Sequence, residues 1–251
     1  MLTGKALVES LVDNLNELGM PNMAATLEDI YRRPGFLEMD HLTLIAELIG
    51  AEYKDKVSKR VNNRLKYAKL TGSPAEIDKC EDTVHREYLP KGLPSVLSSM
   101  DFIPKGFNVC ILGASDSGKT YLAKAIGIKA CESYRVGYFH CAEILEQYIS
   151  LKKTDFPKYE KKLKGLLNLD LIILDDFLLY TLSEESEIKL LFSILEERMQ
   201  KQKSTIVCSQ RNPESWTAMI MNDEISANAI TKRVSYQFDY YFHFVWIAFG
   251  G

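Results

Sequence analysis

Between Asn108 and Cys131 the chain reads as a short apolar strand, a glycine-bounded loop and a helix, and no other feature restricts the fold as much. The loop, Gly113-Ala114-Ser115-Asp116-Ser117-Gly118-Lys119-Thr120, fits G-x-x-x-x-G-K-[ST], the Walker A phosphate-binding loop. Gly113 and Gly118 carry no Cβ, so the backbone turns tightly and successive N–H groups face one point. Lys119 adds a full charge for β- and γ-phosphates, and Thr120 places a hydroxyl where Mg²⁺ would sit. The helix from Lys119 offers unpaired N–H groups and its positive dipole end. Tyr121, at the start of that helix, completes the nucleotide-binding candidates Gly113 to Tyr121.

A loop of this kind needs a parallel sheet behind it, and the chain from residue 108 onward supplies one. Strand candidates are Asn108–Leu112, Val136–His140, Leu169–Leu174, Thr205–Ser209 and one around Tyr240–Val245, alternating with helices near 119–133, 143–151, 159–168, 184–202 and 224–236. The expected fold class is α/β, a P-loop core with a parallel five-stranded sheet. The run Leu169 to Leu174, ending in Asp175-Asp176, is a Walker B strand: apolar throughout because both faces are covered, with an acid at its carboxyl end where ligands sit. Asp175 is expected to hold Mg²⁺ through water, and Asp176 to polarise the attacking water. The strand Ser204 to Ser209 ends in Ser209-Gln210. Either a plain strand-ending turn or a pair meeting the γ-phosphate fits these two polar residues, and the strand is expected between the Walker A and Walker B strands.

The first 85 residues are expected to form a separate, all-helical domain, with residues 86–251 as the ATPase domain. Leu7, Leu11, Leu15 and Leu18 lie at helical spacing, Gly19-Met20-Pro21 stops that helix, and a short one follows to Arg32. Asp40 is placed to cap a third helix reaching about Leu70. Its second half is basic: Lys54, Lys56, Lys59, Arg60, Arg64, Lys66 and Lys69. Two readings stay open, a solvated helix face and a contact surface for duplex DNA phosphates carried by Lys54, Lys59, Arg60, Arg64, Lys66 and Lys69. The net charge of −3 over 251 residues gives no global nucleic-acid signal, so any such contact is local. The five cysteines are scattered and lack C-x-x-C spacing, which fits a reducing cytoplasm. No apolar run approaches the roughly 18 residues of a membrane span.

Taken together, these motifs resemble the IstB-like helper ATPases of insertion sequences, relatives of the DnaC-type helicase loaders within the AAA+ class. The resemblance rests on Arg64-Leu65-Lys66-Tyr67-Ala68-Lys69, Gly113 to Thr120, Leu174-Asp175-Asp176-Phe177, Ser204-Thr205-Ile206 with Ser209-Gln210, and Trp216. It implies an AAA+ core behind a helical domain, ATP with Mg²⁺, ATP-dependent homo-oligomer assembly on duplex DNA, and a partner transposase of the IstA type. It also implies that Arg233 reaches a neighbouring subunit's nucleotide. The catalytic set is then Lys119, Asp175, Asp176, Ser209 and Arg233. A DnaC-like helicase loader shares this ATP chemistry and is the alternative. A small-molecule kinase would need an arginine-rich lid that the chain does not display, and a scaffold without hydrolysis remains a further reading. Three features depart from the family pattern: Asp116 inside the phosphate loop, Phe177-Leu178 in place of Phe-Gly, and an apolar run from Phe242 to Phe249 followed by no AAA+ lid, so that either the lid is absent or the tail is an altered end.

Overall fold

The computed structural model describes residues 4–84, 86–235 and 244–248. They belong to two compact units, Met1–Asn63 and Arg64–Gly251. The division falls inside one long helix, and the boundary drawn from sequence at 85/86 lies within the second unit.

The first unit contains α1 (Gly4–Glu17), α2 (Pro21–Arg32) and most of α3 (His41–Tyr67). Asp40 caps α3 as expected, its Oδ2 accepting the Thr43 N–H at 3.0 Å. Pro21 opens α2 where its missing N–H costs nothing. The next two N–H groups, of Asn22 and Met23, donate to Glu52 Oε2 of α3 at 3.0 and 3.3 Å. Burial pushes the Glu52 carboxyl up, but these donors outweigh it and the net direction is down. A carboxylate from one helix thus caps the positive end of another.

The second unit carries β1 (Glu87–Leu89), α4 (Leu93–Ser98), β2 (Val109–Gly113), α5 (Lys119–Ala130), β3 (Val136–His140), α6 (Cys141–Thr154), α7 (Phe156–Leu167), β4 (Leu171–Asp175), α8 (Glu185–Gln200), β5 (Ser204–Ser209), α9 (Trp216–Met219), α10 (Glu224–Val234) and β6 (Phe244–Ala248). The sheet order is β1-β6-β2-β5-β4-β3. The five expected strands are all parallel, and β5 lies between β2 and β4 as anticipated. β1, not among the expected strands, adds an antiparallel edge on β6. Alternate strand residues feed two cores. Val109, Ile111, Leu171, Ile173 and Ile206 pack with α5 on one face, while Cys110, Leu112, Ile172, Leu174 and Val207 pack with α6 and α8 on the other. The last described strand, Phe244–Ala248, overlaps the one expected around Tyr240–Val245; residues 240–243 lie outside the described residues. The strand lies between β1 and β2, an inner position in the sheet, and its Ile247 is buried. Among the described residues no helix is long and apolar enough to cross a membrane.

Two charged groups fix the far end of the sheet. Arg198, fully buried, donates to Thr205 Oγ1 and to the carbonyls of Leu166, Leu169 and Ser204; burial pushes it down to about 9, still charged at neutral pH. Asp170 accepts the Arg135 N–H at 3.0 Å and Lys203 Nζ at 2.7 Å. Burial raises its carboxyl, but Arg135 and Lys203 outweigh that and hold it well below the usual carboxylate range. A carboxyl lowered by folding contributes stability that is present above its unfolded pKa and lost as pH falls through the folded one. Asp170→Asn is therefore expected to lose about 2 kcal/mol at neutral pH. Denaturant unfolding of parent and variant at neutral pH, then in steps into strong acid, checks this: the gap closes in acid, and equal stability at neutral pH refutes it.

Candidate active site

The carboxyl ends of β2, β5 and β4 rise to one edge, and the loop after β2 turns there into α5. A cleft of about 320 Å³ opens at that edge, lined by Ser115, Asp116, Gly118, Lys119, Thr120, Asp176 and Gln210. The sheet explains the convergence: three strands side by side deliver their following residues to one place.

Both loop glycines are required by geometry. A Cβ on Gly113 would lie 2.7 Å from the Ile247 carbonyl oxygen of β6 and 2.7 Å from Ser117 Oγ. Gly118 starts α5 with φ +101°, a region that side chains rarely adopt. Ser117 Oγ is buried without a hydrogen-bond partner in the structure. An orphaned hydroxyl inside a loop of this type fits a bound anion, because such groups are otherwise satisfied. Lys119 is buried and donates to the Ala114 carbonyl at 2.6 Å. Burial lowers its ammonium pKa, while the Asp175, Asp176 and Asp116 carboxylates pull it back up. Asp116 takes a left-handed turn, φ 59°, and is exposed at the cleft mouth. Tyr121 turns its hydroxyl away toward Pro74 and the Glu76 N–H, leaving only its backbone near the loop.

Asp175 and Asp176 stand at the end of β4 in different environments. Asp175 is buried, its Oδ1 accepting the Asp176 N–H at 3.0 Å and its Oδ2 the Tyr138 hydroxyl at 2.5 Å. Burial, then that carboxylate, push the Tyr138 phenol far above its ordinary value, so it stays a donor. Asp176 is half-exposed, with Oδ2 3.0 Å from His140 Nδ1. Tyr138 and His140 were not foreseen as site residues. They alternate along β3, and only its pairing with β4, His140 opposite Asp175, aims them at the two acids.

The turn after β4 explains the Phe-Gly departure. Leu178 has φ 52°, a conformation costing a side-chain-bearing residue about 1–2 kcal/mol. Its buried side chain and the edge-on contact of Phe177 with Trp216, centroids 5.1 Å apart, hold the turn nonetheless.

The remaining candidates are distributed. Ser209 Oγ donates to the Phe177 carbonyl at 2.8 Å and accepts the Arg211 N–H at 3.2 Å, which ties β5 to the β4 turn. Of the Ser209-Gln210 pair it is Gln210 that lines the cleft. Arg233, in the last turn of α10, does not line it. Its guanidinium pairs with Glu196, donates to the Ala229 carbonyl at 2.8 Å and lies over the Phe192 ring at 4.2 Å. Arg64 donates to the Cys131 and Glu132 carbonyls at 3.2 and 2.8 Å, closing the C-terminal end of α5. Lys59 pairs with Asp55 at 2.7 Å. Lys54, Lys59, Arg60, Lys66 and Lys69 are exposed.

Comparison with known proteins adds three findings. A family model described as IstB-like ATP binding protein matches residues 13–241. The insertion sequence ATP-binding protein y4pL of Sinorhizobium fredii is 30% identical over 230 residues, 91% of this chain and 91% of that one; the IS21 ATP-binding protein of Pseudomonas aeruginosa is 24% identical over 221 residues, 88% and 81%. Among solved structures, the DnaC helicase loader matches with TM-score 0.50 at 20% identity, over 64% of this chain and 92% of that one. DnaA bound to AMPPCP and single-stranded DNA matches with TM-score 0.52 at 18% identity, over 63% and 48%. At these identities the two structures bear on the fold alone, an α/β core around a parallel sheet.

Proposed function

Because the chain belongs to the family of IstB-like ATP binding proteins, we propose that it hydrolyses ATP to ADP and phosphate, assembles as a homo-oligomer on duplex DNA and regulates a transposase of the IstA type. The observation that carries the reading is the single cleft bounded by Lys119, Thr120, Asp176 and Gln210.

The groups around the cleft offer hydroxyl and carboxylate oxygens, the donors a hard cation takes. Thr120, and Asp175 through water, would hold Mg²⁺, which when bound neutralises charge across the β- and γ-phosphate oxygens. Lys119 exchanges the Ala114 carbonyl for phosphate oxygens. With His140 holding one oxygen of Asp176, the other is left to orient water and take its proton. Gln210 adds an amide at the γ end. Arg233 of a neighbouring subunit supplies the remaining charge.

For DNA, the support is the relatives' association with insertion sequences and the exposed bases along α3 and just after it. Residues 1–85 are proposed as the region of DNA and partner contact, with Lys54, Lys59, Arg60, Lys66 and Lys69 facing phosphates; Arg64 acts there by fixing the helix end. ATP hydrolysis with and without duplex DNA tests the core reading, and stimulation by DNA is expected. Over a salt series, Lys66→Ala or Lys69→Ala should each lower the slope of log K against log salt by about 0.9 and weaken all sequences alike. Unchanged slopes would return this face to solvent.

A further inference from the structure

The charge around the cleft is lopsided. Asp116 and Asp176 line it and Asp175 lies buried beside Asp176, against one ammonium, Lys119. A nucleoside triphosphate brings more negative charge still. A further cation comes from outside every recognised motif. Arg86, just before β1, sets Cζ, Nε and one terminal nitrogen at 3.1, 3.3 and 3.3 Å from the position a Cβ would take on Gly118. Its backbone is fixed by reciprocal hydrogen bonds with Thr83, at 2.7 and 3.2 Å. β1 then pairs with β6, whose Ile247 carbonyl abuts Gly113. One edge of the sheet thus carries both the guanidinium at Gly118 and the oxygen at Gly113.

Placing a guanidinium against the first residues of α5 sets a cation beside the positive end of a helix. Among the described residues no carboxylate forms an ion pair with it. Such an arrangement is favourable when an anion joins the two. A buried polar atom without a hydrogen-bond partner lies in the same loop, Ser117 Oγ.

We propose that Arg86 contacts the α- and β-phosphates of the bound nucleotide from within the same subunit, as a second cation of the phosphate loop. This rests on the nucleotide reading of the cleft. Gly118 and the start of α5 belong to the α/β end of a triphosphate, whereas Lys119 serves the β/γ end; ATP and ADP should therefore depend on Arg86 alike.

Calorimetric titration of the full chain with Mg-ATP and Mg-ADP tests this. Arg86→Gln is expected to weaken both about tenfold, the loss of one charge-assisted contact, with an unchanged melting temperature without nucleotide. Parent-like binding of both nucleotides by Arg86→Gln would overturn the proposal. If the Gln variant melts earlier, Arg86→Lys decides: affinity well above that of the Gln variant supports a phosphate contact, and affinity no better than the Gln variant overturns it. Lys119→Ala is the control. Should it bind as tightly as the parent, the fault lies with the nucleotide reading and not with Arg86.

Discussion

Arg233→Ala is expected to bind Mg-ATP as the parent does and to hydrolyse it roughly 10³–10⁵-fold more slowly. Phosphoryl transfer spreads charge over the γ-phosphate oxygens, and arginine is the side chain suited to meet it. Within one subunit Arg233 is remote from the cleft lining: Glu196 and the Ala229 carbonyl hold its guanidinium, and Phe192 supports it from below. Only about a fifth of the side chain is exposed, 20%. A group held this firmly in a defined orientation loses little freedom on meeting a neighbour's phosphate, for which it would exchange Glu196. If instead Arg233 serves only to pin α10 on α8, its removal costs stability and leaves turnover per folded subunit unchanged. The readouts separate cleanly. Acting in trans, hydrolysis per subunit rises with protein concentration. Arg233→Ala mixed with Lys119→Ala then regains activity, because a mixed interface joins an intact loop to an intact arginine. Confirmed mixed assemblies that stay inactive at every ratio would end the trans role.

Asp176→Asn should retain ATP while hydrolysis falls about 10²–10⁴-fold, the usual worth of a positioned base. The distinction from Asp175 follows from surroundings. Asp175 already has a partner on each oxygen, whereas Asp176 shares only one with His140. Asp175→Asn should thus show itself in the Mg²⁺ requirement and leave the Tyr138 hydroxyl facing an amide. Single-turnover hydrolysis titrated with Mg²⁺ in both variants makes the comparison; superimposable curves would dissolve the division of labour.

Much of this architecture could be read in advance because it rests on local signals. The phosphate loop needs glycines at fixed offsets, the buried strands need unbroken apolar runs such as Leu171 to Leu174, and Asp40 stands where a helix begins. What escaped was non-local. β1 is three residues long with a single buried side chain, Tyr88, too little to stand out from a linker. Tyr138 and His140 acquire meaning only once β3 is known to lie beside β4. Ser209 and Gln210 are adjacent in sequence, yet strand alternation sends one hydroxyl to the Phe177 carbonyl and the other side chain to the cleft. Arg64 looks like its basic neighbours on paper but is occupied by two carbonyls contributed by the end of α5. The left-handed Leu178 is invisible without the turn that demands it.

The position of β6 has a consequence for how the molecule comes into being. It is the last strand in sequence among the described residues, yet it separates β1 from β2 and touches the phosphate loop through Ile247. Its partners are separated from it by most of the second unit, so their pairing is dominated by distant contacts and should be slow. β2, β5, β4 and β3 can associate first, with an open edge of β2 waiting. Until β6 is seated that edge is a template for the wrong strand, including one from another copy. The nucleotide loop stands on β2, so it is expected to be completed only once β6 is seated, and a chain caught earlier would hold most of its core and no competent site.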